Sequence, residues 1–441
     1  MKKLLGIVMS AAMVFSLAAC GATATTSAAA SEGASAEASS AAETDAASAD
    51  LKVGVILVGD ETEGYTAAHM EGIKTAAENV GIAAENVIWK YKVPESSECA
   101  DAAEDLVGQG CDVIISNSYG HQNFMVEVAE RYPDVTFVAM TGDFAAVSGL
   151  DNFKNAFTRI YESRYVSGVV AGMKLKELTE SGALTAETQP GSFDADGNVK
   201  IGYVGAYPYA EVVSGYTAFY LGVKSEMPNV VMEVMYTNSW FDIDKEATAA
   251  KALINNGAVV IGQHADSTGA PAATQAEKNN GTICYSVGYN IDMLATAPDA
   301  ALTSATNNWS VYYTELFNAM INGEEVSTNW AKGYDDNAVG ITDLGPDCAE
   351  GTADKVAEVE AGLKDGSIHV FDTAAFTVGG EKVDSYEFDS TIIDFTTGDV
   401  VYPGETSEVI TDGYFSESTV RSAPYFDLRI DGITEDADPV A

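Results

Sequence analysis

Short apolar runs alternate along much of the chain with longer stretches in which apolar positions follow a helical spacing. Residues 52–58 form a nearly continuous apolar run with β-branched members, which predicts a strand covered on both faces. The apolar positions that follow recur at spacings of three and four and are Met70, Ile73, Ala77 and Val80. This spacing predicts a helix with one packed face, which Gly81 ends.

The alternation continues to residue 140. The predicted elements are a strand over Val87–Lys92, a helix from Ser97, a strand over Asp112–Ser116, a helix from His121 and a strand over Val135–Met140. Because strands that alternate with helices usually pair in parallel, the pattern predicts a parallel, doubly wound α/β sheet.

A second run of the same kind begins at Lys200 and contains two echoes of the first. The tetrapeptide Gly-Tyr-Thr-Ala occurs at residues 64–67 and again at residues 215–218, an offset of 151 (215 minus 64). Residues 110–115 correspond to residues 257–262 at an offset of 147 (257 minus 110). Two nearly equal offsets within one strand–helix pattern predict two similar lobes.

The pattern also predicts where the lobes begin and end. The expected boundaries are residues 51–160 and about 291–325 for lobe 1, residues 161–290 and about 326–345 for lobe 2, and residues 346–441 for a C-terminal extension. The extension is expected to be β-rich because it contains glycine-punctuated, strand-like runs such as Phe371–Val378 and Thr391–Phe395. Its role is open.

Ligands of open α/β sheets bind outside the carboxyl ends of the strands, so two facing lobes predict a cleft between two such rims. The loops at these rims are rich in aromatic and polar side chains and cover residues 59–65, 116–120, 141–144, 206–209, 264–268 and 288–292. We therefore expect a small-molecule site in the cleft.

Acidic residues outnumber basic ones, since 66 Asp plus Glu against 23 Lys plus Arg give a formal net charge of −43. Phosphate backbones and anionic headgroups are repelled by such a surface, so nucleic acid is a poor partner. Apolar residues make up 46% of the 441 residues and charged residues 20%, which excludes global disorder. We expect a monomer.

The first 50 residues have the composition of an export signal and a tether. Lys2 and Lys3 precede an apolar run over residues 4–17, and Leu-Ala-Ala then leads to Cys20. This arrangement resembles a bacterial lipoprotein signal, which implies that residues 1–19 are removed and that Cys20 carries the lipid that alone holds the protein at the membrane. Residues 20–50 are mostly small and polar and predict a disordered tether. An ordinary secretory signal or an uncleaved anchor is the alternative.

Residues suited to catalysis or metal binding are sparse. The four histidines, which fall in no catalytic or metal-binding motif, are His69, His121, His264 and His369. Residues 194–205 begin like a calcium loop but carry Val199 in place of glycine and Gly205 in place of glutamate. We expect neither an enzyme nor a cofactor or metal. The cysteines predict no obligatory disulfide, although a bridge between Cys99 and Cys111 stays open.

Aromatic side chains near the predicted rims offer flat faces to a planar ligand, and polar side chains offer hydrogen bonds. The candidates for stacking are Tyr65, Tyr119, Trp240 and Trp309, of which the two tryptophans lead. The candidates for hydrogen bonding are Asn117, Asp266, Asn290, Asp292 and Asn307. Each has a structural alternative, because tyrosine and tryptophan also pack on cores and loop carboxylates are also solvated.

Several segments between residues 53 and 341 occur together in a specific order. They cover residues 162–168 (ESRYVSG), 171–172, 239–242 (SWFD), 288–292 (GYNID), 302–304 and 333–340 (GYDDNAVG). In this order they resemble the basic membrane protein family, the PnrA-like substrate-binding lipoproteins of ABC transporters. The resemblance implies two α/β lobes around a central cleft, as in type I periplasmic binding proteins. It also implies delivery of a purine nucleoside to an ABC permease outside the cytoplasm.

Three features depart from the nucleoside-binding members of that family. Asn290 stands where they carry an Asp that holds ribose hydroxyls, whereas the second Asp of that block is kept as Asp292. Asn307 stands where they carry a Lys, and the loop over residues 59–65 lacks their Phe-Asn pair, with Tyr65 as the aromatic substitute. A bare purine base therefore competes with a nucleoside as the expected ligand.

Two other functions stay open at this point. The same architecture binds sugars and other small polar signals, because fold does not fix function. A surface hydrolase is suggested only by secretion and by the unassigned C-terminal extension.

Overall fold

A computed structural model describes residues 50–393, 399–436 and 440. The expected signal peptide, the lipid-attachment residue Cys20 and the tether up to residue 49 lie outside the described residues. The helices in the described part are α1 (Gly64–Val80), α2 (Ser97–Gly108), α3 (Gln122–Arg131), α4 (Ile160–Glu180), α5 (Ala210–Glu226), α6 (Ile243–Asn255), α7 (Gly269–Asn279), α8 (Trp309–Asn322) and α9 (Thr352–Asp365).

The strands are interspersed with these helices as far as α9 and then follow one another. They are β1 (Val53–Ile56), β2 (Val87–Lys90), β3 (Val113–Ser116), β4 (Thr136–Met140), β5 (Phe153–Ala156), β6 (Val199–Gly205), β7 (Val230–Tyr236), β8 (Val260–Gln263), β9 (Tyr285–Tyr289), β10 (Ala301–Asn307), β11 (Asn329–Trp330), β12 (Val339–Ile341), β13 (Glu387–Asp389), β14 (Ile392–Ile393), β15 (Val400–Tyr402), β16 (Thr406–Glu408), β17 (Ile410–Thr411), β18 (Tyr414–Phe415) and β19 (Ile433–Asp436).

The first lobe is built on a parallel sheet whose described strands have the order β11-β5-β4-β3-β1-β2. Strands β1 and β3 are buried along their whole length, as expected for strands covered by helices on both faces. Helix α1 begins where the carboxylate of Glu63 accepts hydrogen bonds from the backbone N–H groups of Tyr65 and Thr66, and it ends at Gly81 in a left-handed conformation. The expected doubly wound sheet is confirmed.

The second lobe repeats this topology. Its described strands have the order β12-β10-β9-β8-β6-β7-β19, and β7-β6-β8-β9-β10 corresponds to β2-β1-β3-β4-β5 of the first lobe. All of its strand pairs are parallel except β10 with β12. The expectation of two similar lobes is confirmed.

One of the two sequence echoes lies in structural register and the other does not. Residues 110–115 lead into β3 and residues 257–262 lead into β8, which hold the same place in the two sheets. The starts of α1 and α5 differ by 146 (210 minus 64), so the tetrapeptide at residues 215–218 lies five residues too far along its helix. Its recurrence is a coincidence of sequence within equivalent helices.

The chain passes between the two sheets at three connections within residues 50–365, after β5, β10 and β11. The expected return of residues 291–325 to lobe 1 is wrong for β10, which pairs with β9 in the second sheet, whereas α8 does pack on α1. The assignment of residues 326–345 to lobe 2 is wrong for β11, which pairs with β5. Two- and three-residue strands carry too little hydrophobic pattern to show which sheet they join.

Helices α4 and α5 pack closely in the second lobe because small residues lie between them. A Cβ atom on Gly168 would stand 2.1 Å from the carbonyl oxygen of Phe219, and one on Gly222 would stand 2.1 Å from the carbonyl oxygen of Tyr165. Both helices are buried over most of their length. The glycines therefore set the distance between two buried backbones.

The described residues of the stretch 366–436, called here the C-terminal segment, form short antiparallel ribbons and one strand of the second sheet. Strand β13 pairs with β16, β14 with β15 and β17 with β18, while β19 lies parallel to β7. The β-rich character of the extension expected over residues 346–441 is confirmed in its described part, although α9 also lies within it.

The strand expected over Phe371–Val378 is wrong, because this stretch forms turns and isolated bridges. Its apolar pattern reflects packing instead, since the ring of Phe371 stacks on Phe426 with centroids 4.3 Å apart. The run expected from Thr391 is a strand only at Ile392–Ile393, and its last two residues lie outside the described part.

No helix in the described part of the chain has the length and apolar character needed to cross a membrane. The four cysteines among the described residues are free thiols. Cys99 directs its Sγ to the backbone carbonyl of His121 at 3.8 Å and forms no bridge with Cys111.

Candidate functional site

A cavity of about 750 Å³ lies between the two lobes, at the carboxyl ends of their strands. All six rim loops singled out in the sequence contribute to its lining. The C-terminal segment adds a further wall through residues 388–393 and 421–429. This is the place where doubly wound sheets hold their ligands, and its volume suits a molecule of nucleoside size.

An aromatic cluster occupies the side of the cavity that belongs to the second lobe. The rings of Tyr207 and Tyr209 are stacked, with centroids 5.1 Å apart and an interplanar angle of 11°. Trp240 meets Tyr207 edge to face at 5.1 Å and lies 6.2 Å from Tyr209. From the first lobe, Tyr119 approaches Tyr209 to 6.2 Å. These rings give the cavity broad flat faces from both lobes.

Tyr65 lines the cavity from the start of α1. Its ring contacts His69 edge to face at 4.4 Å, and its buried hydroxyl has no hydrogen-bond partner among the described residues. Burial raises the pKa of Tyr65 well above its ordinary value, so the hydroxyl stays protonated and can donate. An orphaned donor at a cavity wall is suited to meeting a ligand acceptor.

Asn117 lies at the cavity wall, but both polar atoms of its side chain already have hydrogen-bond partners within the protein. Its Oδ1 accepts from the backbone N–H of Val58 at 2.8 Å, and its Nδ2 donates to Oγ1 of Thr66 at 3.0 Å. Asn117 therefore ties the end of β1 to α1 and holds the first rim loop in shape. Its expected role in recognition becomes one of positioning.

A chain of buried polar side chains leads from the core to the cavity. Thr158 donates to Oδ1 of Asn307 at 2.5 Å, Asn307 donates to Oδ1 of Asn290 at 3.2 Å, and Asn290 donates to Oδ1 of Asp266 at 2.8 Å. Of these four residues, Asp266 lines the cavity and the other three do not. The expectation that Asn290 and Asn307 line the site is wrong, because the two amides stand behind Asp266 and orient it.

Trp309 was expected to stack on the ligand, but it does not line the cavity. Its side chain is 1% exposed and stacks on the ring of His69 with centroids 4.3 Å apart. The residue follows the end of β10, but it is the first residue of α8, which packs against α1. Trp309 does follow a strand end, as predicted, but the helix that begins there carries the indole into the core.

Asp292 does not reach the cavity either. It is exposed, and its Oδ1 accepts a hydrogen bond from the backbone N–H of Leu294 at 2.8 Å, which stabilises the turn after β9. Asp292 is therefore a solvated turn carboxylate, which was the alternative to a binding role.

Carboxylates dominate the charge of the lining. The acidic lining residues among those described are Asp60, Glu63, Asp143, Glu211, Asp266, Asp389 and Asp427. The basic ones are Lys92, Arg421 and Arg429, and each is held by a carboxylate: Lys92 by Asp60 at 2.6 Å, Arg421 by Asp143 at 2.7 Å and Arg429 by Glu435 at 2.9 Å. The cavity therefore repels anions.

Burial shifts the titration of two of the lining carboxyl groups. Burial raises the pKa of Asp266 well above its ordinary value, and repulsion by Glu63 adds to the effect. Burial likewise raises the pKa of Glu63. Nearby, His264 contacts Oε2 of Glu211 through Nε2 at 2.7 Å, and burial lowers the pKa of His264 although Glu211 opposes the shift. A carboxyl group that takes up a proton can donate to a ligand as well as accept.

Several of the lining residues are not among the site residues predicted from the sequence. Tyr209, Glu211 and Asp143 fall within or next to the rim loops, so the strand-end rule could have found them. Phe388 and Arg421 had no such signal, because they belong to short ribbons of the C-terminal segment. No group of three or more histidine, cysteine, aspartate or glutamate residues is arranged to hold a metal ion in the part of the chain that the structure describes.

Comparison with known families gives one match that covers most of the chain. The family described as ABC transporter substrate-binding protein PnrA-like matches residues 51–363. The C-terminal segment lies beyond the matched region.

Two curated relatives share about a third of their residues with the chain. The purine-binding protein of Brucella abortus is 32% identical over 77% of this chain and 90% of its own length. A putative ABC transporter glucose-binding protein of Haloferax volcanii is also 32% identical, over 60% of each chain. Among solved structures, an ABC transporter solute-binding protein from Aeropyrum pernix K1 covers 73% of this chain and 93% of its own, with a TM-score of 0.59 and 17% identity.

Proposed function

Because this chain belongs to the PnrA-like family of ABC transporter substrate-binding proteins, which bind solutes and are not enzymes, we propose that it captures a neutral purine nucleoside or nucleobase. The ligand is held in the cavity between the lobes. The purine-binding relative from Brucella abortus, similar over 90% of its length, supports a purine as the ligand.

The aromatic cluster is the observation that carries the proposal. A purine is a flat heterocycle, and stacking on protein aromatic rings stabilises a bound base by ~1–3 kcal/mol. Trp240, Tyr207 and Tyr209 offer such faces from one lobe and Tyr119 offers one from the other. Closure of the lobes would place these faces on both sides of the ligand and remove water from its hydrogen bonds.

The charge of the lining restricts the ligand further. The acidic lining residues outnumber the basic ones even without Asp266 and Glu63, and all three basic side chains are already paired, so a phosphate group is disfavoured and we expect nucleotides to bind weakly. Glu211 and Asp266 can accept hydrogen bonds from ring N–H groups or from sugar hydroxyls, and the hydroxyl of Tyr65 can donate to a ring nitrogen. These groups suit a base with or without ribose.

Titration calorimetry with the purified protein tests the proposal. We expect saturable binding of at least one of adenosine, guanosine, inosine, adenine and guanine. Ribose alone should give no heat, and the 5′-monophosphate of the best nucleoside should bind about a hundredfold more weakly, because its phosphate meets the acidic lining. Absence of binding by every purine would overturn the proposed ligand class.

A sugar is the second candidate ligand, and the relative from Haloferax volcanii that is described as glucose-binding favours it. Aromatic faces also stack on sugars, and carboxylates accept from their hydroxyls. Competition separates the two, since glucose should leave bound purine in place whereas free adenine should displace a nucleoside. Displacement by glucose and not by adenine would favour the sugar.

We further propose that the protein is a lipoprotein that presents its ligand to an ABC permease outside the cytoplasm. The lipoprotein-like signal ending at Cys20 supports this anchoring. Mass spectrometry of the membrane fraction should show a chain that begins at Cys20 and carries acyl groups. Replacement of Cys20 by alanine should release the protein from the membrane, and membrane retention of that variant would contradict the proposal.

A further inference from the structure

Two described stretches of the C-terminal segment, residues 386–393 and 399–429, are called here the strap. The strap supplies part of the cavity lining, including Phe388, Ile393 and Arg421. It lies outside the region that the family match covers, which ends at residue 363. The strap contacts both lobes.

The strap is anchored firmly to the second lobe. Glu417, which is 4% exposed, accepts from Ser214 of α5 at 2.9 Å and from the backbone N–H of Tyr425 at 2.6 Å. Just beyond the strap, Glu435 of β19 accepts from Tyr216 at 2.6 Å and also from Tyr236. Because β19 is a strand of the second sheet, the strap moves with that lobe.

The contacts of the strap with the first lobe lie around one ion pair. Nη1 of Arg421 lies 2.7 Å from Oδ2 of Asp143, and both side chains are largely buried. Beside this pair, Tyr402 meets Phe144 edge to face at 5.2 Å, and Ile392 packs into the core of the first lobe. The strap therefore bridges the lobes across the cavity, with Arg421 and Asp143 at the joint.

The ion pair is also connected to the aromatic faces of the cavity. The same Oδ2 of Asp143 accepts from the hydroxyl of Tyr119 at 3.2 Å, while its Oδ1 accepts from Gln122 at 2.9 Å. On its other side, the guanidinium of Arg421 lies 5.1 Å from the ring centroid of Phe388. Arg421 thus fixes Asp143, and Asp143 fixes the ring of Tyr119.

We propose that the strap is a third wall of the ligand site, carried by the second lobe and latched to the first by Arg421 and Asp143. Opening of the cleft separates the lobes, so it breaks this latch before a ligand can leave. Arg421 is a positioning residue that orders the site through Asp143 and Tyr119. The proposal rests on the proposed function for the identity of the ligand, but the latch itself exists without one.

The first arm of the test needs no ligand. Hydrogen–deuterium exchange is compared in the full-length wild type, Arg421→Ala and the control Arg131→Ala, which breaks an exposed ion pair with Glu104 that does not line the cavity. Loss of the latch should speed exchange about tenfold at the backbone N–H of Ser422, which donates to Oδ1 of Asn329 in β11 at 3.4 Å, and around Asp143 and Phe144. The charge-assisted hydrogen bond between Arg421 and Asp143 holds these groups in their closed arrangement. The control should exchange like the wild type at these sites. Unchanged exchange in Arg421→Ala would overturn the latch.

The second arm measures dissociation of a bound purine nucleoside by stopped-flow fluorescence. We expect dissociation about tenfold faster in Arg421→Ala, an intermediate rate in Arg421→Lys and the wild-type rate in Arg131→Ala. Melting curves confirm that the variants are folded. Faster exchange with an unchanged dissociation rate would overturn the role of the latch in ligand release. If the wild type binds no purine, the proposed function fails, and the exchange arm still decides whether the latch exists.

Discussion

Trp240 and Trp309 have the same side chain and both follow strand ends, yet their surroundings differ. Trp240 is half-buried in the aromatic cluster at the cavity, and Trp309 is enclosed between α8 and α1. The same substitution at the two positions should therefore affect different properties.

Replacement of Trp240 by alanine removes a stacking face and should weaken purine binding about tenfold to a hundredfold, in line with ~1–3 kcal/mol per stacked base. Stability should change little, because the side chain is half-exposed. Calorimetry measures the affinity. Trp89→Ala is the matched control, since Trp89 is also half-buried but stacks on Tyr91 away from the cavity. An unchanged affinity in Trp240→Ala would remove this residue from the site.

Replacement of Trp309 by alanine leaves a large void beside His69 and should lower the free energy of unfolding by about 3–5 kcal/mol. Urea denaturation measures this loss. The molecules that remain folded should bind the purine with nearly wild-type affinity, because the indole does not line the cavity. A loss of binding without a loss of stability would contradict the assignment of Trp309 to the core.

Glu417 should make stability depend on pH. Burial raises its pKa from 4.5 to about 7 in the folded protein. The folded chain therefore holds a proton that the unfolded chain releases between these values, and the resulting stabilisation, about 3 kcal/mol, is present below pH 4.5 and lost as pH rises to 7. Urea denaturation from pH 4.5 to 8 should show this decline, and Glu417→Gln should flatten it. Glu324→Gln, at an exposed position, should keep the wild-type profile.

At the residue scale, the sequence predicted correctly which loops line the cavity. It was less successful in predicting which side chains of those loops point into it. Tyr65, Asn117, Tyr119, Trp240 and Asp266 line the cavity, because strand-end loops face the cleft. Asn290 and Asn307 do not. Asn290 directly follows Tyr289, which lines the cavity at the end of β9, and successive side chains along a strand point to opposite faces of the sheet. The pattern of residue types does not encode those directions without the pairing of the strands.

At the scale of elements, the contact between α4 and α5 depends on glycines whose role the sequence alone did not show. Replacement of Gly168 by alanine places a methyl group 2.1 Å from the carbonyl oxygen of Phe219, so the helices must separate. We expect a loss of about 1–3 kcal/mol, measured by urea denaturation.

In contrast, Gly108→Ala at the end of α2 is expected to raise the free energy of unfolding. A Cβ atom there meets nothing within 4 Å, so the substitution should stabilise the helix by about 0.5–1 kcal/mol. Equal effects of the two substitutions would show that helix propensity, and not the close approach of α4 and α5, governs these positions.

Long elements were predictable and short ones were not. The strands and helices of residues 52–140 follow from hydrophobic periodicity, because each buries a whole face. Strands β11 and β12 have two and three residues and join different sheets, which no local pattern could reveal. The stretch from Phe371 looked like a strand because its aromatic residues pack in the core of the C-terminal segment.

At the scale of the whole molecule, two matching lobes with a site between them followed from the repeat of the strand–helix pattern and from the strand-end rule. The part of the site formed by the strap did not follow, because its residues lie far along the chain from the rim loops that they join at the cavity. A site built partly from such a distant segment has no signature in any single stretch of sequence.

The parallel pairing of β19 with β7 has a consequence for refolding. The paired residues are about 200 positions apart, so a long loop must close before the second sheet acquires its last strand. Until then β7 presents an open row of backbone N–H and C=O groups to any neighbouring molecule. Recovery of the protein after dilution from denaturant should therefore decline as its concentration rises, through strand pairing between molecules that have not yet closed their own sheets.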